Sequence, residues 1–403
     1  MRKVANIFKS ILKFGSPTTR KSPNKHNPVI ISRENHTISR KNISEAALKV
    51  LYRLHKSGYA GYLVGGGVRD LLLGLTPKDF DVVTDAHPEE IQKIFRNSYI
   101  IGRRFRLVHV RFGREIIEVA TFRGHEDTAA RIKTQHGLLL RDNAYGTLED
   151  DVWRRDFTVN ALYYNIADFS VVDFTNGMED LKHRTLRVIG DPVSRYREDP
   201  ARMLRAIRLA GKLNFEIEPD SAKPIKKYRE LLRQVPPARL FDKMLKIFHS
   251  GKSYEIYQLL KSYDLLDVLF PQVGSALEEG GFESFVIQAL QNSDARVHDE
   301  KGINSAFLFA VLLWAPLKKM NQKHLENENN NVYQALHLAM QDVTQAQLQV
   351  ISIPRKFTTV VREIWSLQYH LEHAKSRRVY RIHQHPRFRA ACDFFLLARI
   401  VVL

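Results

Sequence analysis

The sequence predicts an α+β chain, a small mixed-sheet head followed by an all-α neck and body, on three observations. Between residues 43 and 185, short β-rich runs alternate with glycine turns and short helical segments. From Pro200 a helix carries arginines on one arc and aliphatic residues on the other. Beyond Ala222 the apolar positions recur at helical spacing to the C-terminus. These changes of pattern divide the chain into an arm (1–42), a head (43–185), a neck (186–250) and a body (251–403).

With 403 residues the chain can build two or three domains with full cores. A hydrophobic content of 44% and a charged content of 26% are ordinary for a globular protein. The net charge of +18 is not, and it calls for a polyanionic partner, either nucleic acid or an anionic membrane surface. Cys392 is the only cysteine, which excludes a disulfide framework and a thiolate metal site. No run approaches the eighteen or so consecutive apolar residues of a membrane span, so no transmembrane helix is expected. A signal-peptide core is also missing.

The arm holds ten Lys or Arg against Glu34 alone, and Pro17, Pro23 and Pro28 argue against a packed domain there. It is expected to be disordered and to meet RNA, while a membrane-surface helix over Val4 to Phe14 or an organelle transit peptide would share its composition. Order begins near Ile43. Ser44 is a helix N-cap, Ile43 can staple onto Leu48, and Gly58 supplies the left-handed stop.

Tyr59 to Val64 reads as a strand that enters the glycine turn Gly65-Gly66-Gly67 and a short helix carrying Arg69 and Asp70. Asp79-Phe80-Asp81 follows. Side chains two apart on a strand point to the same side, so Asp79 and Asp81 project together while Phe80 and Val82 enter a core. Paired carboxylates invite a hard divalent cation, Mg²⁺ above all, and a glycine turn lets backbone approach phosphates. Together they suggest nucleotidyl transfer. Pro88 then starts a helix with Glu89 and Glu90 in its first turn.

Phe105 to Phe112 and Glu115 to Phe122 are expected strands joined across Gly113. Glu118 is an acid inside an apolar run, needs a partner or a metal, and is the candidate third carboxylate. Arg104, Arg106 and Arg111 give the first of these strands a positive edge. Residues 126–138 have poor periodicity and read as a mobile loop. In Arg154 to Leu162, Asp156 and Asn160 lie four apart and are expected on one face of a helix. Asp173 to Leu181 reads as a strand end and turn.

LVGGGVRDLLLG (Leu63 to Gly74), KDFDVVT (Lys78 to Thr84) and RRDFTVNAL (Arg154 to Leu162), in that order, resemble the head of the class II template-free nucleotidyltransferases. That family contains the CCA-adding tRNA nucleotidyltransferases and the bacterial poly(A) polymerases. The resemblance implies that Asp79 and Asp81 hold two catalytic Mg²⁺ ions. It places Gly65, Gly66 and Arg69 at the triphosphate of ATP, and Arg155, Asp156 and Asn160 at the incoming nucleotide, with Asp156 at the ribose or among the catalytic groups.

In the neck, Arg202, Arg205 and Arg208 share one arc of the helix with no interleaved acid, opposite Met203, Leu204, Ala206, Ile207 and Ala210. A carboxylate beside a guanidinium can match the Watson–Crick edge of a base. Glu198-Asp199-Pro200-Ala201-Arg202 resembles the family's template motif, which implies that Asp199 and Arg202 read the base, with Arg205 and Arg208 also at the nucleotide.

The body carries ten basic residues against three acids from Arg355 onward, with Trp365, Tyr369, Tyr380 and Phe388 interleaved. Cations and exposed rings are what a single-stranded RNA track requires, and Arg377, Arg378, Tyr380 and Arg381 join Arg104 and Arg106 as RNA-binding candidates. Likeness to the poly(A) polymerase branch extends through GRRFRLVHV (Gly102 to Val110), PPARLFDKMLKIFHSGKSYE (Pro236 to Glu255) and SIPRKFTTVVREIW (Ser352 to Trp365). Where members of that branch commonly continue into a longer basic tail, this sequence closes on Ile400-Val401-Val402-Leu403.

The resemblance therefore implies addition of AMP from ATP to RNA 3′ ends without a template, with CCA addition to tRNA as the alternative. Expected partners are mRNA and other transcripts, tRNA, and RNA-decay machinery. The expected location is the bacterial cytoplasm, or an organelle if the arm is a transit peptide.

Overall fold

The computed structural model describes residues 27–102, 106–124, 131–133, 139–142, 145–274, 276–277, 281–327, 330–373 and 382–402. Arg104, Arg377, Arg378, Tyr380 and Arg381 lie outside the described residues, as do residues 1–26 of the arm.

The head is built on an eight-stranded mixed sheet. Its strands are β1 (Val29–Ile31), β2 (Gly61–Val64), β3 (Asp81–Thr84), β4 (Ser98–Ile101), β5 (Leu107–Phe112), β6 (Glu115–Thr121), β9 (Leu162–Asn165) and β10 (Val171–Asp173). They lie in the order β1-β10-β9-β2-β3-β6-β5-β4, and β3 beside β6 is the parallel pair. Alternation along the central strands feeds two cores. Leu63, Val82 and Val119 face the main one, whereas Val64, Val83 and Tyr163 face a smaller one with Val152 and Phe122. Asp81 and Glu118 sit in register across β3 and β6, on the side of the smaller core.

Helix α1 (Glu45–Lys56) begins as expected, with Ser44 Oγ accepting the Ala47 N–H at 3.1 Å. Gly58 takes φ +84° after its end. Helix α2 (Gly66–Leu72) starts within the glycine turn, α3 (Pro88–Ile94) starts at the proline, and α4 (Leu148–Arg154) is set by Thr147, whose Oγ1 accepts the Asp150 N–H.

Four sequence expectations need correction. The arm was expected without packing up to residue 42, yet β1 joins the sheet edge against β10. His36 Nε2 meets the Phe169 carbonyl at 2.8 Å and Ile38 is buried; a β-branched run beside a free sheet edge outweighs the polar composition around it. The expected helix over Asp156 to Leu162 does not form. Arg155 and Phe157 are extended, Thr158–Asn160 is one 3₁₀ turn, and β9 follows, because Phe157 and Val159 bury completely and Phe157 bridges Val188. Within the stretch expected as a loop, β7 (Arg131–Lys133) forms and pairs with β8 (Leu139–Asp142) just beyond it through backbone hydrogen bonds, which hydrophobic periodicity does not register. The expected turn after Asp173 contains helix α5 (Gly177–Lys182), whose start is held by the Asp173 carboxylate accepting N–H groups from Thr175, Gly177 and Met178.

The neck comprises α6 (Pro192–Glu198), α7 (Ala201–Leu213), α8 (Pro219–Lys227) and α9 (Pro237–Phe248). The body is helical among its described residues, from α10 (Ser253–Ser262) and α11 (Leu265–Leu269) through α12 (Phe282–His298), α13 (Ser305–Leu312), α14 (Trp314–Leu325), α15 (Val332–Leu348), α16 (Arg355–Glu372) and α17 (Phe388–Val402). Head, neck and body share the main core, and α7 meets α10 where Gly211 lies against Ile256. Trp365, one of the rings interleaved with the basic residues of the body, is fully buried and unavailable for stacking, and its Nε1–H donates to the Ala310 carbonyl at 3.1 Å. Indole area gains more from that core than from solvent once its one donor is satisfied. Among the described residues no helix is long and apolar enough to cross a membrane.

Candidate active site

The glycine turn leaves β2 through Gly65, whose φ of +76° and ψ of −140° suit only glycine. A Cβ at Gly65 would lie 3.6 Å from Asp81 Oδ2 and 3.7 Å from Arg155 Nη1, so one residue of backbone faces both groups. Gly67 packs as closely: its Cβ would stand 3.2 Å from the Asp79 carbonyl. The strand pattern thus places Asp79, at the entry to β3, and Asp81, at its first residue, beside the turn.

Among the described residues neither aspartate side chain accepts a hydrogen bond or makes an ion pair. Asp81 is exposed at the start of β3, yet the protein packed around it displaces much of the bulk water near its carboxyl. This desolvation raises its carboxyl above the ordinary range, the charges of Glu118 and Asp79 raise it further, and Arg155 opposes them. Glu118 also meets His109 across β5, with Oε1 and Nε2 at 3.2 Å. Among the described residues no three His, Cys, Asp or Glu side chains converge on a point where they could hold an ion by themselves.

Arg155 caps the end of α4 and turns back under the sheet. Its Nε donates to Tyr163 Oη at 2.6 Å and its Nη2 to Asp151 Oδ2 at 2.9 Å; Tyr163 Oη in turn donates to Asp151 Oδ2 at 2.7 Å. Burial alone would lower the Arg155 pKa, but Tyr163 and Asp151 more than offset it, so the guanidinium stays charged. Nη1 is left toward the glycine turn. Arg69 is held differently, with Nε and Nη2 on Asp70 Oδ1 at 2.9 and 2.6 Å and Nη1 on Asn160 Oδ1 at 2.7 Å. Its Nη2 lies 3.5 Å from the Cβ position of Gly66. Arg69 is thereby braced against the turn by Asn160, and Asn160 reaches it from the 3₁₀ turn rather than from a helix.

Asp156 faces the neck. Arg205 Nε lies 2.9 Å from Asp156 Oδ2, an ion pair whose N–H is not aimed at the oxygen, and Arg205 Nη2 is 3.2 Å from Asp199 Oδ2. Asp199 also takes a bidentate pair from Arg239, Nη1 to Oδ1 and Nη2 to Oδ2, each at 2.9 Å. Burial pushes the Asp199 carboxyl up, but Arg239, Arg205 and Arg202 bring it below the usual range. Arg202 does not pair with Asp199. Its Nη1 donates to the Arg195 carbonyl and approaches Glu198 Oε2 at 3.5 Å, while its Nε is buried without an acceptor. Arg208 is lowered by burial and by Arg69, with Asp156 opposing. Arg106 pairs with Glu89 at 2.6 Å on the rim.

Tyr163, Asp151, Arg195 and Arg239 complete these networks without a local sequence signal. Arg195 Nη2 donates to the carbonyls of Arg154 at 2.8 Å and Arg155 at 2.6 Å, tying the neck to the segment that carries Arg155 and Asp156. Arg239 follows Pro236 and Pro237 at the start of α9, and its partner is forty residues upstream. The proline start marks that helix in the sequence, but no local pattern marks the pairing.

Family models match three stretches: the Poly A polymerase head domain over residues 61–187, the "Probable RNA and SrmB-binding site of polymerase A" over 214–277, and the Polymerase A arginine-rich C-terminus over 328–400. Poly(A) polymerase I of Salmonella typhimurium is 48% identical over 98% of this chain and 87% of its own length. A CCA-adding enzyme of Lactobacillus helveticus is 36% identical over 52% of each chain. A tRNA nucleotidyltransferase crystallised with a primer tRNA and an incoming ATP analogue shares the fold, with a TM-score of 0.58 at 24% identity over 87% of this chain and 94% of its own.

Proposed function

We propose a reaction and its residues from one premise: the chain belongs to the poly(A) polymerase I family. It is a nucleotidyltransferase that adds AMP from ATP to RNA 3′ ends. The RNA 3′ oxygen forms a bond to the α-phosphorus as the bond to the β-phosphate oxygen breaks, and pyrophosphate leaves.

The observation that carries the site is the pair Asp79 and Asp81, unpaired by protein among the described residues, with Asp81 Oδ2 facing the Gly65 turn beside Arg155 Nη1 and Asp79 near enough to raise the Asp81 carboxyl. Two carboxylates with no cation of their own, one of them raised by its acidic neighbours, fit Mg²⁺, which completes its shell with phosphate oxygens and water. When bound, such ions stabilise the attacking and leaving oxygens of an in-line displacement. Glu118 stands beside Asp81 and adds negative charge to that donor set.

The chain's own side chains do the rest. Gly65 and Gly66 admit the triphosphate against backbone, Arg155 offsets its charge, and Arg69 with Asn160 keeps the turn in place. Arg208, buried among other cations, supplies a further guanidinium at that end of α7. Asp156, held by Arg205, is assigned to the ribose on this reading. At the other end Arg202 Nε, a buried donor with no acceptor, is free for the base, and Asp199 is oriented by Arg239 and Arg205.

RNA is the second substrate, gripped by the basic surface and, on this reading, handed to RNA-decay machinery after tailing. A bacterial cytoplasmic setting fits a family found in enteric bacteria. Sequencing the products made from four nucleotides, a tRNA lacking its end and an unstructured RNA tests the choice of activity. Long adenosine tails on both RNAs are expected; CCA confined to the tRNA would reverse it.

A further inference from the structure

The reaction must hold two polyanions, and the triphosphate grip of Arg69, Arg155 and Arg208 accounts for one. Helix α9 carries Arg239, Lys243 and Lys246, spaced by four and then three residues and so on one face. Arg239 is committed to Asp199. Lys243 is half-buried one turn further, and among the described residues it has neither a hydrogen bond nor an ion pair.

The charges that bear on Lys243 are Arg205 from α7, Arg239 and Lys246 from its own helix, and Asp199. Both oxygens of Asp199 already carry arginines. Arg205 and Arg239 both hold Asp199, so this cluster lies at the Asp199 end of the site. A lysine drawn out of water beside three cations, with no carboxylate left for it, is unfavourable unless something negative arrives.

We propose that Lys243, with Arg239 and Lys246 beside it, seats a phosphodiester of the RNA strand whose 3′ end is being extended, apart from the ATP triphosphate. The proposal rests on the RNA-extending reading above and narrows the stretch 214–277, which matches the family's probable RNA-binding site, to one lysine and its pH dependence. Burial, with Arg205, Arg239 and Lys246, brings the Lys243 ammonium down to about 8. A bound phosphate favours the charged form, so RNA affinity falls as pH rises through that value and the free protein releases the proton.

Binding of a fluorescent oligoadenylate to the full chain, without ATP or divalent ion, tests this at pH 7 and pH 9 over a range of salt. Lys243→Met is expected to weaken binding about tenfold at pH 7, to lower the salt slope by roughly 0.7 to 1, and to remove the loss between pH 7 and pH 9. Lys243→Arg is expected to bind at pH 9 as it does at pH 7. In steady state Lys243→Met should raise the KM for RNA and leave that for ATP within about twofold. Wild-type affinity and wild-type pH dependence in a folded Lys243→Met protein would overturn the site, as would an equal rise in both KM values. Failure of the wild type to bind RNA would instead overturn the RNA-extending reading itself.

Discussion

Asp81 sits where the electrostatics of the head converge. Its carboxyl is raised by desolvation and by Glu118 and Asp79, so its charge is a liability to the protein by itself. Asp79→Asn and Asp81→Asn are expected to cut AMP incorporation by at least about a thousandfold, in keeping with loss of a charge-stabilising group, without lowering the melting temperature. Substantial residual incorporation by either purified variant would remove the metal role. Strand alternation made Val82 legible as a core residue and Asp81 as its neighbour on the other side, whereas Asp79 precedes the strand and stands out only through the motifs around it.

Arg239 was not legible, since a bidentate pair across forty residues leaves no local trace. Arg239→Met should cost about 1 kcal/mol at neutral pH, discounted for the solvent that reaches Arg239, and should weaken discrimination among the four nucleotides. The sign with pH follows from Asp199. Its folded pKa lies below the unfolded value, so its contribution is present above the unfolded carboxylate range and is lost as pH falls through the folded one. Thermal melts between neutral pH and pH 3 should therefore show the wild type losing its advantage over Arg239→Met in acid; a constant gap would contradict the pairing.

Among the elements, α7 is legible in the sequence from its arginine arc to its aliphatic face. Its docking was not legible, because it depends on a missing side chain. A Cβ at Gly211 would meet Ile256 Cγ1 at 2.6 Å and Ile256 backbone at 3.2 Å. Gly211→Ala is expected to destabilise by about 1–3 kcal/mol through overpacking, despite alanine's better helix propensity, and denaturant unfolding would measure it. A neutral or stabilised variant would show that α7 and α10 can separate freely. The segment from Asp156 to Leu162 shows the opposite failure. Its i,i+4 pair suggested a helix, but complete burial of Phe157 and Val159 on the sheet decides for extended chain and a single 3₁₀ turn. Asp156 and Asn160 each hold an arginine instead, Asp156 meeting Arg205 and Asn160 meeting Arg69.

Across the whole molecule, the charge of +18 spreads over arm, neck and body. Sequence-independent grip on RNA predicts that log affinity falls linearly with log salt at about 0.7 per phosphate contacted on a single strand. A flat dependence would mean that RNA is held by something other than these cations. The α+β division was legible because strand and helix periods differ. What links the parts was not: Asp156 of the head, Arg205 and Asp199 around α7, and Arg239 of α9 form one continuous run of ion pairs.

That run fixes a carboxylate before any ligand arrives. Asp199 is oriented by Arg239 and Arg205, so on the proposed base-reading role the selecting shape belongs to the fold and needs no template strand to assemble it.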